Sequence, residues 1–119
     1  MKTLEELQPR FSLYKGLEYI YHDYGYIAWQ MSTGENVELV FIEVKEPGKG
    51  YGTRLVKEMV DRIKPFNSVF VFRLASNKPA GRFYRKLGFS DSLVKGLYTT
   101  DAVLGVVNYK KLCDYLSQQ

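Results

Sequence analysis

Hydrophobic and polar positions change period several times along the chain, and each change marks an element. Leu4 and Leu7 stand at helical spacing within the first ten residues, which predicts a short helix ending near Pro9. Residues 17–22 and 26–31 are rich in Tyr, Ile and Trp and flank Asp23-Tyr24-Gly25, the pattern of a β-hairpin. A turn over 32–35 leads into Val37-Glu38-Leu39-Val40-Phe41-Ile42-Glu43-Val44, an almost unbroken apolar run that predicts a strand buried on both faces. Beyond Gly48, Gly50 and Gly52 the period becomes helical. Leu55, Val56, Met59, Val60 and Ile63 share one face, and Arg54, Lys57, Glu58, Asp61 and Arg62 cover the other, until Pro65 stops the helix. Residues 69–72 read as a second buried strand, so the two strands and the helix between them form a βαβ crossover.

A second helix is expected over 77–87. Ser76 or Asn77 can cap it, Pro79 is tolerable in its first turn, and Gly88 suits its C-terminal cap. Ala80, Phe83, Tyr84 and Leu87 form its apolar stripe. Residues 97–100 and 102–107 read as further strands, and Tyr109, Leu112, Cys113 and Leu116 as one face of a final helix. No repeat or linker divides the chain, so residues 1–119 are expected to form one mixed α/β domain.

Composition narrows the classes. Hydrophobic residues make up 45% of the chain, enough for a core without staples, and the single Cys113 can form no internal disulfide. The N-terminal segment carries Lys2, Glu5, Glu6 and Arg10, unlike a secretory signal, and nowhere do about eighteen apolar residues run together. A cytoplasmic protein with no membrane partner is the expectation. The formal charge is +4, but the 17 Lys and Arg residues are spread along the chain and mixed with 13 acids. No arginine-rich run, zinc spacing or RNP-like aromatic signature accompanies them, which weighs against a nucleic-acid partner. A modest positive field suits a polyanionic cofactor equally well. No His/Cys/Asp cluster has metal spacing, so no metal is expected.

The segment Pro47-Gly48-Lys49-Gly50-Tyr51-Gly52-Thr53 joins the first buried strand to the amphipathic helix. The first amides of a helix lack internal partners and carry the positive end of its dipole, and a loop without side chains lets a phosphate reach them. The spacing excludes two nucleotide readings. A Walker loop needs Ser or Thr after Gly-Lys, but Lys49 is followed by Gly50; the dinucleotide fingerprint needs a third glycine where Leu55 stands. A tight turn with no ligand is the bland alternative.

Downstream lies Asn77-Lys78-Pro79-Ala80-Gly81-Arg82-Phe83-Tyr84-Arg85-Lys86-Leu87-Gly88-Phe89. Asn77, Ala80, Phe83, Tyr84, Gly88 and Phe89 match an N-x-x-A-x-x-(F/L)-Y-x-x-x-G-F segment, and Gly50 and Gly52 match an (R/Q)-x-x-G-x-(G/A) loop. With both in this order, the chain resembles the GNAT superfamily of N-acetyltransferases over roughly residues 36 to 90. Pro47 stands where that family carries Arg or Gln, and offers neither a cation nor an N–H; Lys49 is the cation that the loop retains. The strand-to-loop connection is about two residues shorter than usual in the family, and the region before the hairpin is short as well.

The resemblance implies a mixed, mostly antiparallel sheet flanked by helices and splayed at its central parallel strands, near residues 37–44 and 68–74. It implies acetyl-CoA as cofactor, held by Gly48, Lys49, Gly50, Gly52, Thr53 and Asn77, with backbone amides near Ile42 to Val44 gripping the pantetheine and polarising the thioester. It implies direct transfer of the acetyl group to a primary amine. That reaction needs a deprotonated amine and a protonated leaving thiol. By resemblance Tyr84 is the general acid, although it also lies on an apolar stripe that could simply fill the core. By resemblance of Glu38-Leu39-Val40-Phe41-Ile42 to the strand of histone-type members, Glu38 is the candidate base or else a water-facing carboxylate, with Glu43 in reserve on the opposite face unless a bulge intervenes; a water chain in place of a protein base is the alternative. His22, the only histidine, reads as a hairpin-end residue, and Cys113 as a small core residue. Tyr19, Tyr21, Tyr24, Tyr26 and Trp29 could line an acceptor pocket or merely reflect β-propensity, and Arg82 and Arg85 could reach phosphate or only cover a solvated face. Rival readings are a non-catalytic acyl-CoA-binding module and a nucleic-acid-binding protein. The acceptor is open, and a homodimer could complete so short an acceptor site.

Overall fold

The computed structural model describes residues 1–74, 78–92 and 102–118. Thr3 opens the first helix, α1 (Leu4–Phe11), through a reciprocal cap in which its hydroxyl accepts from the Glu6 N–H and the Glu6 carboxylate accepts from the Thr3 N–H. The helix runs through Pro9 instead of ending there. Proline deletes one helical hydrogen bond. Burial of Phe11, one turn beyond Leu7, favours continuation on the same face.

The hairpin comes next as β1 (Glu18–His22) and β2 (Gly25–Met31), and a 3-10 turn (Thr33–Glu35) leads to β3 (Val37–Val44). Then come α2 (Tyr51–Ile63), β4 (Ser68–Leu74), α3 (Lys78–Lys86), β5 (Ser90–Ser92), β6 (Ala102–Asn108) and α4 (Tyr109–Ser117). The described strands form one sheet in the order β1-β2-β3-β4-β6-β5, and among them only the β3–β4 pair is parallel. Strand β5 is too short and polar to be read from its residues, Ser90-Asp91-Ser92. The strand expected over 97–100 and the caps expected at Ser76 and Asn77 lie outside the described residues.

Each face of the sheet carries its own cluster. Leu55, Val56, Met59 and Val60 of α2 and Leu112 and Leu116 of α4 pack with Ile20, Ile27, Trp29, Val37 and Leu39 of the strands. On the other face Leu7 and Phe11 of α1 lie against Tyr26 and Ala28. Each fully buried aliphatic side chain contributes about 1.5–3 kcal/mol, so the larger cluster dominates the fold's stability.

Two irregularities in β3 set the geometry of the sheet around it. Ala28 pairs with Phe41 but Trp29 pairs with Leu39, leaving Val40 as an extra residue on β3. Such a bulge reverses the alternation of side chains. Glu38, Phe41 and Glu43 therefore share the α1 face with their partners Gln30, Ala28 and Tyr26. The second irregularity is divergence: β3 and β4 pair only at Val37↔Val69 and Glu38↔Phe70. The expectation of a strand buried on both faces is accordingly corrected. Val37 and Leu39 are buried, whereas residues 40–44 are half-buried because β4 has swung away.

Candidate active site

Beyond Glu38, the edge of β3 that faces β4 has no strand partner among the described residues. Strand geometry decides which groups line that edge. The Lys45 N–H donates to the Tyr24 carbonyl oxygen at 2.8 Å, which makes Lys45 and Tyr24 a hydrogen-bonded pair. Such pairs alternate with non-bonded ones along an antiparallel ladder. Glu43 thus turns its backbone toward β2, and Ile42 and Val44 turn theirs toward the gap. From Glu38 to Val44 this exposed edge runs for roughly 20 Å.

The glycine loop closes the wide end of the gap. Gly48 has φ 79° and Gly50 φ 78°, a left-handed conformation that L side chains rarely adopt, and a Cβ at either would meet nothing. Gly50 is the N-cap of α2, and no side chain caps the helix. The first intrahelical bond runs from the Arg54 N–H to the Gly50 carbonyl oxygen at 3.1 Å, so the amides of Tyr51, Gly52 and Thr53 have no helical acceptor. Among the described residues this leaves a cluster of donors without acceptors at the positive end of a 13-residue helix. Lys49 is exposed beside it. Gly52 serves a different purpose: a Cβ there would stand 2.8 Å from the Phe83 ring. Its bareness lets α3 dock on the first turn of α2.

Tyr84, next to Phe83, is 6% exposed in the larger cluster, with ring centroids of Phe83 and Phe89 both 5.3 Å away. Glu38 is half-buried at the narrow end of the gap, where its Oε1 accepts from Gln30 Nε2 at 3.0 Å. Glu43 shares its face because of the bulge, but is engaged elsewhere. Its Oε1 accepts from the Lys2 N–H at 3.2 Å, and it lies opposite Tyr26, whose pKa is pushed up to about 12 by burial and then by that carboxylate. Asn77 lies outside the described residues.

The remaining candidates disperse. His22 Nε2 lies 2.8 Å from Glu58 Oε2 and stacks on Tyr24, whose own pKa is raised by burial and by Glu58. Tyr24 in turn meets Tyr51 at 4.8 Å and the Arg54 guanidinium at 5.2 Å, which buttresses the start of α2 from the hairpin side. Tyr19, Tyr21 and Tyr26 belong to the α1 cluster, and Trp29 is fully buried on the other face. Cys113 is half-buried against the larger cluster. Arg82 and Arg85 are on the exposed side of α3. Sequence reasoning missed Gln30, because only the bulged β2–β3 pairing sets it opposite Glu38. Among the described residues no group of three His, Cys, Asp or Glu could hold a metal, and no helix is long and apolar enough to cross a membrane.

Known proteins share this fold. The family model for the acetyltransferase (GNAT) domain matches residues 14–91. No curated protein sequence matches the chain. Solved structures do. A GNAT-family protein from Desulfovibrio desulfuricans is 22% identical with a TM-score of 0.68, covering 88% of this chain and 78% of its own. A Bacillus subtilis acetyltransferase, in complex with CoA, is 20% identical with a TM-score of 0.64 over 91% of this chain and 94% of its own. The ribosomal-protein-S18-alanine N-acetyltransferase from Escherichia coli is 19% identical with a TM-score of 0.65 over 85% and 76%. At these identities the likeness is one of fold.

Proposed function

The chain belongs to the GNAT acetyltransferase family and uses acetyl-CoA as its acyl donor, and from that premise we propose that it transfers the acetyl group directly to a primary amine, in the cytoplasm. The observation that carries this reading is the parting of β3 from β4 with an uncapped helix start at its mouth. The residues present fit the donor. The amides of Tyr51, Gly52 and Thr53, with the left-handed Gly48 and Gly50 bending the loop clear of them, would take its pyrophosphate, and Lys49 adds a cation. Ile42 and Val44 would pair with the amide groups of its pantetheine arm, as an added strand pairs with a sheet edge. Asn77 is proposed as a further contact on the resemblance alone.

Acetyl-CoA supplies an activated thioester; the chain supplies proton management. Glu38, at the narrow end, takes the proton of the incoming ammonium or of the amine as its N–C bond forms. An N–H of the β3 edge stabilises negative charge building on the acyl oxygen. Tyr84 donates its phenolic proton to the departing sulfur, and the phenolate is re-protonated from solvent. Its burial between Phe83 and Phe89 supports a fixed donor direction. Glu38 is preferred to Glu43 because the latter is already bonded to the Lys2 N–H and lies opposite Tyr26.

Titration calorimetry with acetyl-CoA, CoA and ATP, paired with thiol release in the presence of a primary-amine panel, tests the reading. We expect acetyl-CoA and CoA to bind and ATP not to, with thiol release dependent on an amine. Tight binding of acetyl-CoA without amine-dependent release would identify a cofactor-binding module instead.

A further inference from the structure

We infer that Gln30 is a positioning residue that holds the Glu38 carboxylate for proton abstraction; this rests on the reading of Glu38 as the base. The two residues are directly opposed in the β2–β3 ladder, Gln30↔Glu38, and both are half-buried. Their contact is a hydrogen bond of 3.0 Å from Gln30 Nε2 to Glu38 Oε1. Only the amide nitrogen can face a carboxylate here, since the amide oxygen would set acceptor against acceptor. With Oε1 held, the swing of the carboxylate is restricted, and among the described residues no hydrogen bond to Oε2 competes with an incoming amine. The bulge at Val40 is what makes this possible. Without the extra residue, Glu38 would share the face of Ile42 and Val44, opposite to Gln30. Glu43 shows the contrast: tied by the Lys2 N–H and placed opposite Tyr26, it has an anchoring role in the fold.

A wandering base loses rate because a misplacement of about 1 Å can cost on the order of a hundredfold. The test is a double-mutant cycle of Gln30→Met with Glu38→Gln. Thiol release from acetyl-CoA is followed with spermidine, an alanine-initiated peptide and a lysine peptide, using whichever turns over fastest. Glu38→Gln is expected to lower kcat by about a hundredfold. Gln30→Met, of equal length but without a donor, is expected to lower kcat about tenfold in the parent, with KM for acetyl-CoA within about twofold, and to add nothing in the Glu38→Gln background. Gln30→Leu repeats the cycle if the methionine variant does not fold. A Gln30 effect that is absent, equal in both backgrounds, or seen in KM for acetyl-CoA alone overturns the inference while an impaired Glu38→Gln leaves the base in place. An unimpaired Glu38→Gln removes the base and this inference with it. No thiol release by the parent with any of the amines removes both together with the proposed reaction.

Discussion

Gly25→Ala is a perturbation whose sign distinguishes this fold from a generic strand. Replacing glycine in a strand with alanine ordinarily stabilises by about 0.4–1 kcal/mol, because the unfolded chain loses freedom. Here Gly25 opposes Val44 in the non-bonded register, where the two Cα atoms approach to roughly 4.5 Å. An added Cβ would stand 2.7 Å from the Glu43 carbonyl oxygen, 3.0 Å from Leu55 Cδ1 and 3.2 Å from Val44 Cγ1. The leucine end can swing aside, but the carbonyl belongs to the β2–β3 ladder and moves only with the strand. Overpacking of this kind costs about 1–3 kcal/mol. For a chain of this size that corresponds to a fall in Tm of roughly 4–12 °C. Because the displaced segment is the stretch of β3 that lines the gap, acetyl-CoA affinity should fall as well. Thermal melting with and without acetyl-CoA reads both. Leu55→Val in the Gly25→Ala background should recover only a minor part, since the carbonyl contact remains. A Gly25→Ala protein that melts at or above the parent's temperature would refute the close approach and the register that produces it.

Other consequences are equally open to measurement. Tyr84→Phe should lower kcat by about 10²–10⁴-fold while the acetyl-CoA dissociation constant changes less than about threefold, read by steady-state kinetics and calorimetry. Equal turnover would reduce Tyr84 to core filling. Lys49→Ala should weaken acetyl-CoA binding about threefold to tenfold at low salt, with the difference shrinking as salt screens the exposed charge; a salt-independent difference would argue against a phosphate contact. Tyr26 keeps its proton up to about pH 12 in the folded protein, against about pH 10 for a free phenol. The folded state then binds more protons between those values, so stability is intact below pH 10 and declines as pH rises toward 12. Tyr26→Phe should flatten the Tyr26 share of that decline in denaturant melts, and an unchanged slope would contradict the cause assigned to the shift.

The long elements were legible because their periodicity is strong. The face of α2 carrying Leu55, Val56, Met59 and Val60, and the hairpin of Tyr- and Ile-rich strands, emerge directly from residue order. The end of α1 was not legible, because tertiary burial of Phe11 outweighs the local effect of Pro9, and that burial depends on a strand far along the chain. Nor was the bulge at Val40. It is a mismatch between two strands, and neither strand's own pattern records it. That single residue decides that Glu38 and Glu43 share a face and that Gln30 meets Glu38, so the side chains around the candidate base could not be read without the pairing. The glycine loop divides in the same way. Gly50 is legible as part of a bare loop before a helix, whereas its left-handed φ and the need for glycine at 52, set by the Phe83 ring on another helix, are not.

In the proposed reading, recognition of the acyl donor depends on the amides at the start of α2. Amide chemical shifts tracked by heteronuclear NMR during titration with CoA, with pantetheine as the phosphate-free control, address them directly. Large shifts are expected at Tyr51, Gly52 and Thr53 with CoA only, and smaller shifts along Ile42 and Val44 with both ligands. Saturable CoA binding that leaves Tyr51, Gly52 and Thr53 unmoved would contradict the phosphate site at this helix start.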